Sequence, residues 1–155
     1  LEATFYGTTQ TMDREPDRLL GQPNGAALSK NFIGVGPWSQ WNETSVPGVQ
    51  AMRAAVKKYE NIGDEKLGGV MYSNFVQGYV TAMVFVDALK KSGREPTAEK
   101  VRDAMNGMQN FDTKGITPPI SFGPDRRKGF TAVKLYRINA ERKVYEPIGN
   151  WVEMK

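Results

Sequence analysis

The 155-residue sequence predicts an α/β fold, ordered as two short strands, three helices and a C-terminal β-hairpin. Three observations carry this prediction. Val49, Met52, Val56 and Tyr59 recur at spacings of three, four and three, which places them on one face of a helix. Met71, Phe75, Tyr79, Ala82, Val86 and Leu89 keep the same period over a longer run. Residues 130–138 alternate instead, with Val133 and Leu135 on one face and Lys134 and Tyr136 on the other, the period of a strand.

The elements follow in order. Ala3–Gly7 reads as a short buried strand ending on glycine, and Thr8–Thr11 as a polar loop after it. Residues 12–20 accommodate a short helix that Pro16 and the acidic cluster weaken, and residues 21–30 are rich in turn formers. Asn31–Gly36 is the second strand, closed by Gly36-Pro37. Pro47 opens the first long helix, where its missing N–H costs nothing, and Gly63 is its expected stop. In the second, Tyr72, Val76, Val80 and Met83 form another stripe beside the first. A band this wide implies burial on much of the circumference. Lys90 and Lys91 suit the negative end of that helix, and Gly93 suits its cap. Thr97 is the natural N-cap of the third helix, whose buried face is Val101, Ala104, Met105 and Met108. A loop over 110–115, an extended stretch over 118–122 and a turn at Gly123-Pro124-Asp125 lead to the hairpin. The hairpin turns over Asn139–Lys143 and returns over Val144–Val152, with Pro147 marking an edge or a bulge. No internal repeat is present.

Composition excludes several chemistries. The sequence holds no Cys and no His. A disulfide framework, a thiolate centre, the usual zinc sites and Ser-His or Cys-His nucleophile pairs are therefore excluded. No metal and no cofactor are expected. Twenty-one Lys and Arg against 17 Asp and Glu leave a net charge of +4, with the N-terminal 50 residues acidic and the rest basic. Charges of both signs are interspersed, and the one tight basic run, Arg126-Arg127-Lys128, sits in a turn without interleaved aromatics, so no nucleic-acid partner is expected. The longest mostly apolar stretch, Val70–Leu89, is broken by Ser73, Asn74, Gln77, Gly78 and Asp87, which makes it a poor membrane span.

Motifs of catalysis are weak. Asp112, Asp125 and Glu60 could act as acids or bases, but each also suits a turn or a helix surface. Gly34-Val35-Gly36 is too short for a dinucleotide loop, and Asp112–Gly115 lacks the ligand count of a calcium loop. Trp38 and Trp41, in a segment without periodicity, either pack across a domain junction, the reading favoured, or wall an apolar ligand site. The loop Thr8-Thr9-Gln10 follows the first strand. Ligands of open α/β sheets bind at the carboxyl ends of strands, where hydroxyl and amide groups suit a small polar ligand.

Taken together, the ordered motifs resemble the C-terminal part of a type I periplasmic solute-binding protein of the branched-chain amino-acid ABC transporter family. The residues that carry the resemblance are Thr4-Phe5-Tyr6-Gly7-Thr8-Thr9, the helix Pro47–Tyr59, and Gly78-Tyr79 followed by Asp87–Gly93, with Asp87 where Glu is usual. Pro96–Glu99, Phe111–Gly115, Pro118–Pro124 and the final Trp151-Val152 continue the series.

The resemblance implies a fragment of a two-lobed type I periplasmic-binding-protein fold that closes on its ligand, with the portion preceding residue 1 missing. Residues 1–34 and 130–155 then belong to the C-terminal lobe. Residues 35–129 hold the crossover segments, near 35–41 and 122–130, and helices of the N-terminal lobe. The implied site is Tyr6, Thr8, Thr9 and Gln10. In amino-acid-binding relatives an acidic residue after the strand-ending glycine pairs with the ligand ammonium. Thr8-Thr9-Gln10 holds no carboxylate, and a buried ammonium without a partner is costly, which favours ligands lacking one.

The implied function is the extracytoplasmic solute-binding component of an ABC importer, periplasmic or extracellular, secreted or membrane-anchored. It would bind an amino-acid-like or aromatic carboxylate and deliver it to a membrane permease, with no bond chemistry. Two alternatives are a ligand-sensing receptor domain of a signalling protein and a small carboxylate-based enzyme. Alone, the piece is expected to bind ligand weakly or not at all and to self-associate through apolar faces meant for the missing part.

Overall fold

The computed structural model describes residues 3–12, 20–59 and 72–154. Ten elements follow in chain order: β1 (Phe5–Gly7), α1 (Thr9–Met12), α2 (Gly25–Lys30), β2 (Phe32–Gly36), α3 (Pro47–Tyr59), α4 (Tyr72–Lys91), α5 (Ala98–Asn106), β3 (Ala132–Asn139), β4 (Val144–Pro147) and β5 (Val152–Glu153). The expected helix over 12–20, the Gly63 stop, Glu60 and Met71 fall mostly or wholly outside the described residues.

The strands form one mixed sheet in the order β1-β2-β3-β4, with β5 pairing the other end of β3. β1 runs parallel to β2, whereas β3 is antiparallel to β2, β4 and β5. The expected hairpin return is therefore split. β4 stops at Pro147, an edge position where a missing N–H is tolerated; Ile148 still donates its N–H to the Leu135 carbonyl at 2.8 Å, and strand pairing with β3 resumes at Val152.

The buried face of β3 is Ala132, Lys134, Tyr136 and Ile138, while Val133 and Leu135 are half-buried on the other. Tyr136 and Ile138 pack with Met12, Phe32 and Tyr145 into the core of the sheet. The strand before them corrects an expectation. β1 buries only Gly7, while Phe5 and Tyr6 are exposed, because β1 is the outermost strand of the path and β2 is its one neighbour in the sheet. Residues 21–30 also wind further than their turn formers suggest, into α2.

The helices build two further clusters. Trp38, Trp41, Met52, Val56, Val76 and Ile116 form one, and Val84, Ala88, Met108 and Ile120 the other. α3 buries Val49, Met52 and Val56 as its period predicts, but Tyr59, in the last turn, is exposed. On α4 the buried row is Val76, Val84 and Ala88, with Val80 partly buried between them, a one-residue rotation from the predicted first stripe. Phe85 and Val86 are about half exposed, so the wide band is not covered on its far side. α4 ends before Gly93, whose φ of 86° suits the expected cap.

Gly48, in the first turn of α3, donates its N–H to the Lys114 carbonyl at 2.9 Å. A Cβ there would overlap the Thr113 carbonyl and the Ile116 side chain. Since a backbone atom is part of the obstacle, Gly48→Ala is expected to lower stability by about 1–3 kcal/mol in urea unfolding. The Phe111–Gly115 motif has a structural role in the same place. The buried Thr113 hydroxyl accepts the Thr117 N–H at 2.9 Å, and the Asp112 carboxylate accepts the Lys114 N–H at 2.7 Å.

Thr97 caps α5 as predicted, its hydroxyl oxygen accepting the Lys100 N–H at 3.3 Å. Thr97→Ala is expected to cost about 1 kcal/mol, read as a lower melting midpoint. Beside it, the Glu99 carboxyl is held below its ordinary value, first by its own backbone N–H and then by the Thr97 hydroxyl. A lowered carboxyl stabilises the folded state above the ordinary carboxylate range, and that contribution is lost as pH falls through the lowered value.

Candidate functional site

Because β1 and β2 are parallel, their carboxyl ends, Gly7 and Gly36, lie at the same edge of the sheet. Gly7 pairs with Gly34, and Gly36 pairs across β3 with Lys134. The crevice outside such strand ends is where α/β sheets bind ligands.

The four residues singled out in the sequence gather here. Tyr6 is 73% exposed on β1. Thr8, also exposed, follows the strand, and its carbonyl accepts the Met12 N–H at 3.0 Å. Thr9 is half-buried and opens α1, and Gln10 is the second residue of that turn. The polar loop expected over Thr8–Thr11 is thus largely a helical turn. Met12 anchors it by packing its thioether over Gly34, where a Cβ would stand 2.6 Å from the sulfur. Hydroxyls held this way can donate to a carboxylate, a charge-assisted bond stronger than one between neutral groups.

Sequence reasoning missed two side chains at the same edge. Gln40 brings its amide nitrogen to within 3.9 Å of where a Cβ on Gly36 would be. Lys134 is buried, with its ammonium 2.7 Å from Glu43 Oε2 and 2.9 Å from Ser39 Oγ. A lysine in an alternating strand ordinarily faces water, so the signal lay only in the period of β3, which puts it on the Tyr136 face.

Trp38 and Trp41 are both buried against Met52, Val56, Val76 and Ile116. The Arg53 guanidinium lies 4.9 Å from the Trp41 ring and donates to the Trp41 carbonyl at 2.9 Å. Both indoles therefore pack where the segment leaving β2 meets the helices. Asp112 is occupied in its turn, and Asp125 is exposed in the 123–126 turn. Two apolar cavities of about 670 and 300 Å³ lie along α4 and share Phe85, Met105 and Phe122. Their walls come from α4, α5 and the segment 120–130 and are mostly apolar, whereas the hydroxyl and amide groups suited to a small polar ligand stand at the strand ends, which remain the candidate site.

Comparison with known proteins places this arrangement. A family model described as periplasmic binding protein matches residues 10–143, and the chain belongs to that family. Its fold is similar to that of a branched-chain amino-acid ABC transporter protein from Thermus thermophilus with bound valine, at 18% identity and a TM-score of 0.75, covering 99% of this chain and 40% of that one. A fatty acid ABC transporter substrate-binding protein from Thermomonospora curvata matches at 20% identity and a TM-score of 0.69, covering 98% and 37%. An ABC transporter substrate-binding protein from Aeropyrum pernix matches at 16% and 0.73, covering 100% and 39%. No curated protein matches the chain. The chain thus spans about 40% of the length of the solved structures it resembles, and its mixed α/β sheet and helices reproduce part of a periplasmic-binding-protein fold.

Proposed function

We propose that this chain is part of the extracytoplasmic substrate-binding component of an ABC importer, which takes a small carboxylate at the carboxyl ends of β1 and β2 and delivers it to a membrane permease. The observation that carries the reading is the placement of Thr8 and Thr9 at the end of a parallel strand, beside the point where the chain leaves β2 for the helices. The family's binding proteins and the similar solved structures support it.

In this reading residues 1–34 and 130–155 form one lobe, and 35–129 hold the crossovers and the helices of the other. The separation of the sheet core from the two helical clusters supports that division. Phe130, the first residue of the second stretch, packs with the helical cluster, as a residue at the crossover would. Closure draws on contacts that the ligand makes with both lobes, since a ligand shifts such an equilibrium only by its differential affinity for the two states.

The ligand is a carboxylate without an ammonium group, such as an aromatic acid. Thr8, Thr9 and Gln40 offer neutral donors, and Thr8-Thr9-Gln10 offers no acid to an ammonium. A thermal-shift screen of the full product of its gene tests this, with leucine, valine, benzoate, phenylacetate, a medium-chain fatty acid and a dicarboxylate as probes. A probe at a hundred times its Kd adds about 2.7 kcal/mol of stability. A shift with the aromatic acids is the expected result. Tight binding of leucine or valine would overturn the ligand assignment, and no shift with any probe would count against the receptor reading.

A further inference from the structure

We infer that Lys134 and Glu43 are positioning residues whose buried ion pair latches the sheet to the helical half and sets the angle between them. The pair is closed at 2.7 Å, with side chains only 10% and 8% exposed. Three other ion pairs, Lys91–Asp87, Arg102–Asp103 and Arg142–Glu146, each have a side chain more than half exposed.

The partners of this pair come from three separate parts of the chain. Lys134 stands on β3, in the sheet. Glu43 and Ser39 lie in the segment that runs from β2 to α3. Glu43 Oε1 accepts the Gln40 N–H at 2.6 Å. It also lies 2.9 Å from the Tyr136 hydroxyl, which stands equally close to the Trp38 carbonyl and has one proton for the two. Ser39 carries the network onward. Its hydroxyl accepts from Lys134 and donates to the Gly115 carbonyl at 2.9 Å, and its N–H donates to the Ile116 carbonyl at 2.7 Å. One ammonium is thus tied through one serine to the loop that α3 packs against. The Trp151 ring lies 4.8 Å from the same ammonium and closes its remaining side.

Apolar packing is non-directional and tolerates sliding, whereas these donors and acceptors are satisfied together in one arrangement. A buried ion pair contributes little stability over well-packed apolar residues of similar size, and its best-attested use is to specify one register or state. The pair lies where the chain passes from sheet to helices, so the state it specifies is the angle between them. That this angle governs how far a ligand cleft opens rests on the receptor reading above; the latch itself does not.

The sequence holds no cysteine, so labels can be placed freely. Nitroxides at Arg137→Cys on β3 and Gln77→Cys on α4, both exposed positions, report the distance between the two halves by pulsed electron resonance. With Lys134 and Glu43 in place, one narrow distance population is expected. The doubly substituted Glu43→Leu/Lys134→Met chain is expected to keep its helical circular dichroism and melting midpoint but to lose the narrow population. Lys134→Arg alone, which preserves the charge beside Glu43, is expected to keep it. An unchanged distribution in the folded double variant would overturn the inference, as would broadening by Lys134→Arg equal to that of the double variant. Should the double variant not fold, Glu43→Gln decides, since it removes the charge and keeps an oxygen acceptor for the Gln40 N–H: the latch requires broadening, and a narrow distribution refutes it. These readings need no ligand. If the angle changes while affinity for the panel's carboxylates does not, the latch stands and the receptor reading fails.

Discussion

Replacing Glu43 alone by alanine is expected to lower the unfolding free energy by about 3–5 kcal/mol, because it strands a buried ammonium. Lys134 would keep only the Ser39 hydroxyl at 2.9 Å and the Trp151 ring at 4.8 Å, neither of which carries a compensating charge. The Gln40 N–H and the Tyr136 hydroxyl would lose an acceptor as well. Urea unfolding followed by circular dichroism measures the loss. The comparison is Lys91→Ala, which breaks a 2.7 Å pair whose lysine is 54% exposed. Exposed pairs of that kind contribute about 0.2–1 kcal/mol. If the two variants lose equal stability, Glu43 and Lys134 are not paired in a water-poor environment. The contrast with the charge-free double variant is the informative part. Removing one partner is costly, while removing both is not.

Met52→Ala is expected to cost about 2–5 kcal/mol, the range for deleting a buried large side chain that leaves a cavity. Met52 is fully buried on α3, in the cluster that joins Trp38 and Trp41 to Val76 of α4 and to Ile116. Its removal would loosen three segments at once. Trp38 and Trp41 are two of the three tryptophans in the sequence, so a red-shifted emission accompanying the loss would locate the damage. Met52→Leu, close in volume, is expected to cost less than about 1.5 kcal/mol. Equal losses for Ala and Leu would mean that the thioether makes a specific contact rather than filling space.

The three longer helices, α3, α4 and α5, were legible because each carries its own signals. The period of α3, the Thr97 cap of α5 and Gly93 after α4 all act within a few residues of the chain. The parts that were not legible depend on distant partners. Lys134 is buried because Glu43, remote in sequence, reaches it, and no local pattern announces that. α4 carries two adjoining apolar stripes, so its period could not choose between them; contact with Trp38, Trp41, α3 and α5 made the choice. β1 has the composition of a buried strand, yet its exposure follows from its outer position in the described sheet. At the candidate site, the order of strand, glycine and two threonines was readable. The turn of α1, anchored by Met12 over Gly34, and the approach of Gln40 were not, since both arise from packing across the sheet.

The central claim is that a ligand carboxylate is held by the threonines at the end of β1. Titration calorimetry of the full gene product, with the carboxylate that gives the largest thermal shift, tests it through the Thr8→Val/Thr9→Val variant. Hydrogen bonds to a charged group are worth about 1.5–3 kcal/mol each, and about 1.4 kcal/mol is tenfold in Kd. Binding at least about tenfold weaker is expected, in a variant whose circular dichroism shows that it still folds. An unchanged Kd in the folded variant would contradict it and move the site away from the strand ends.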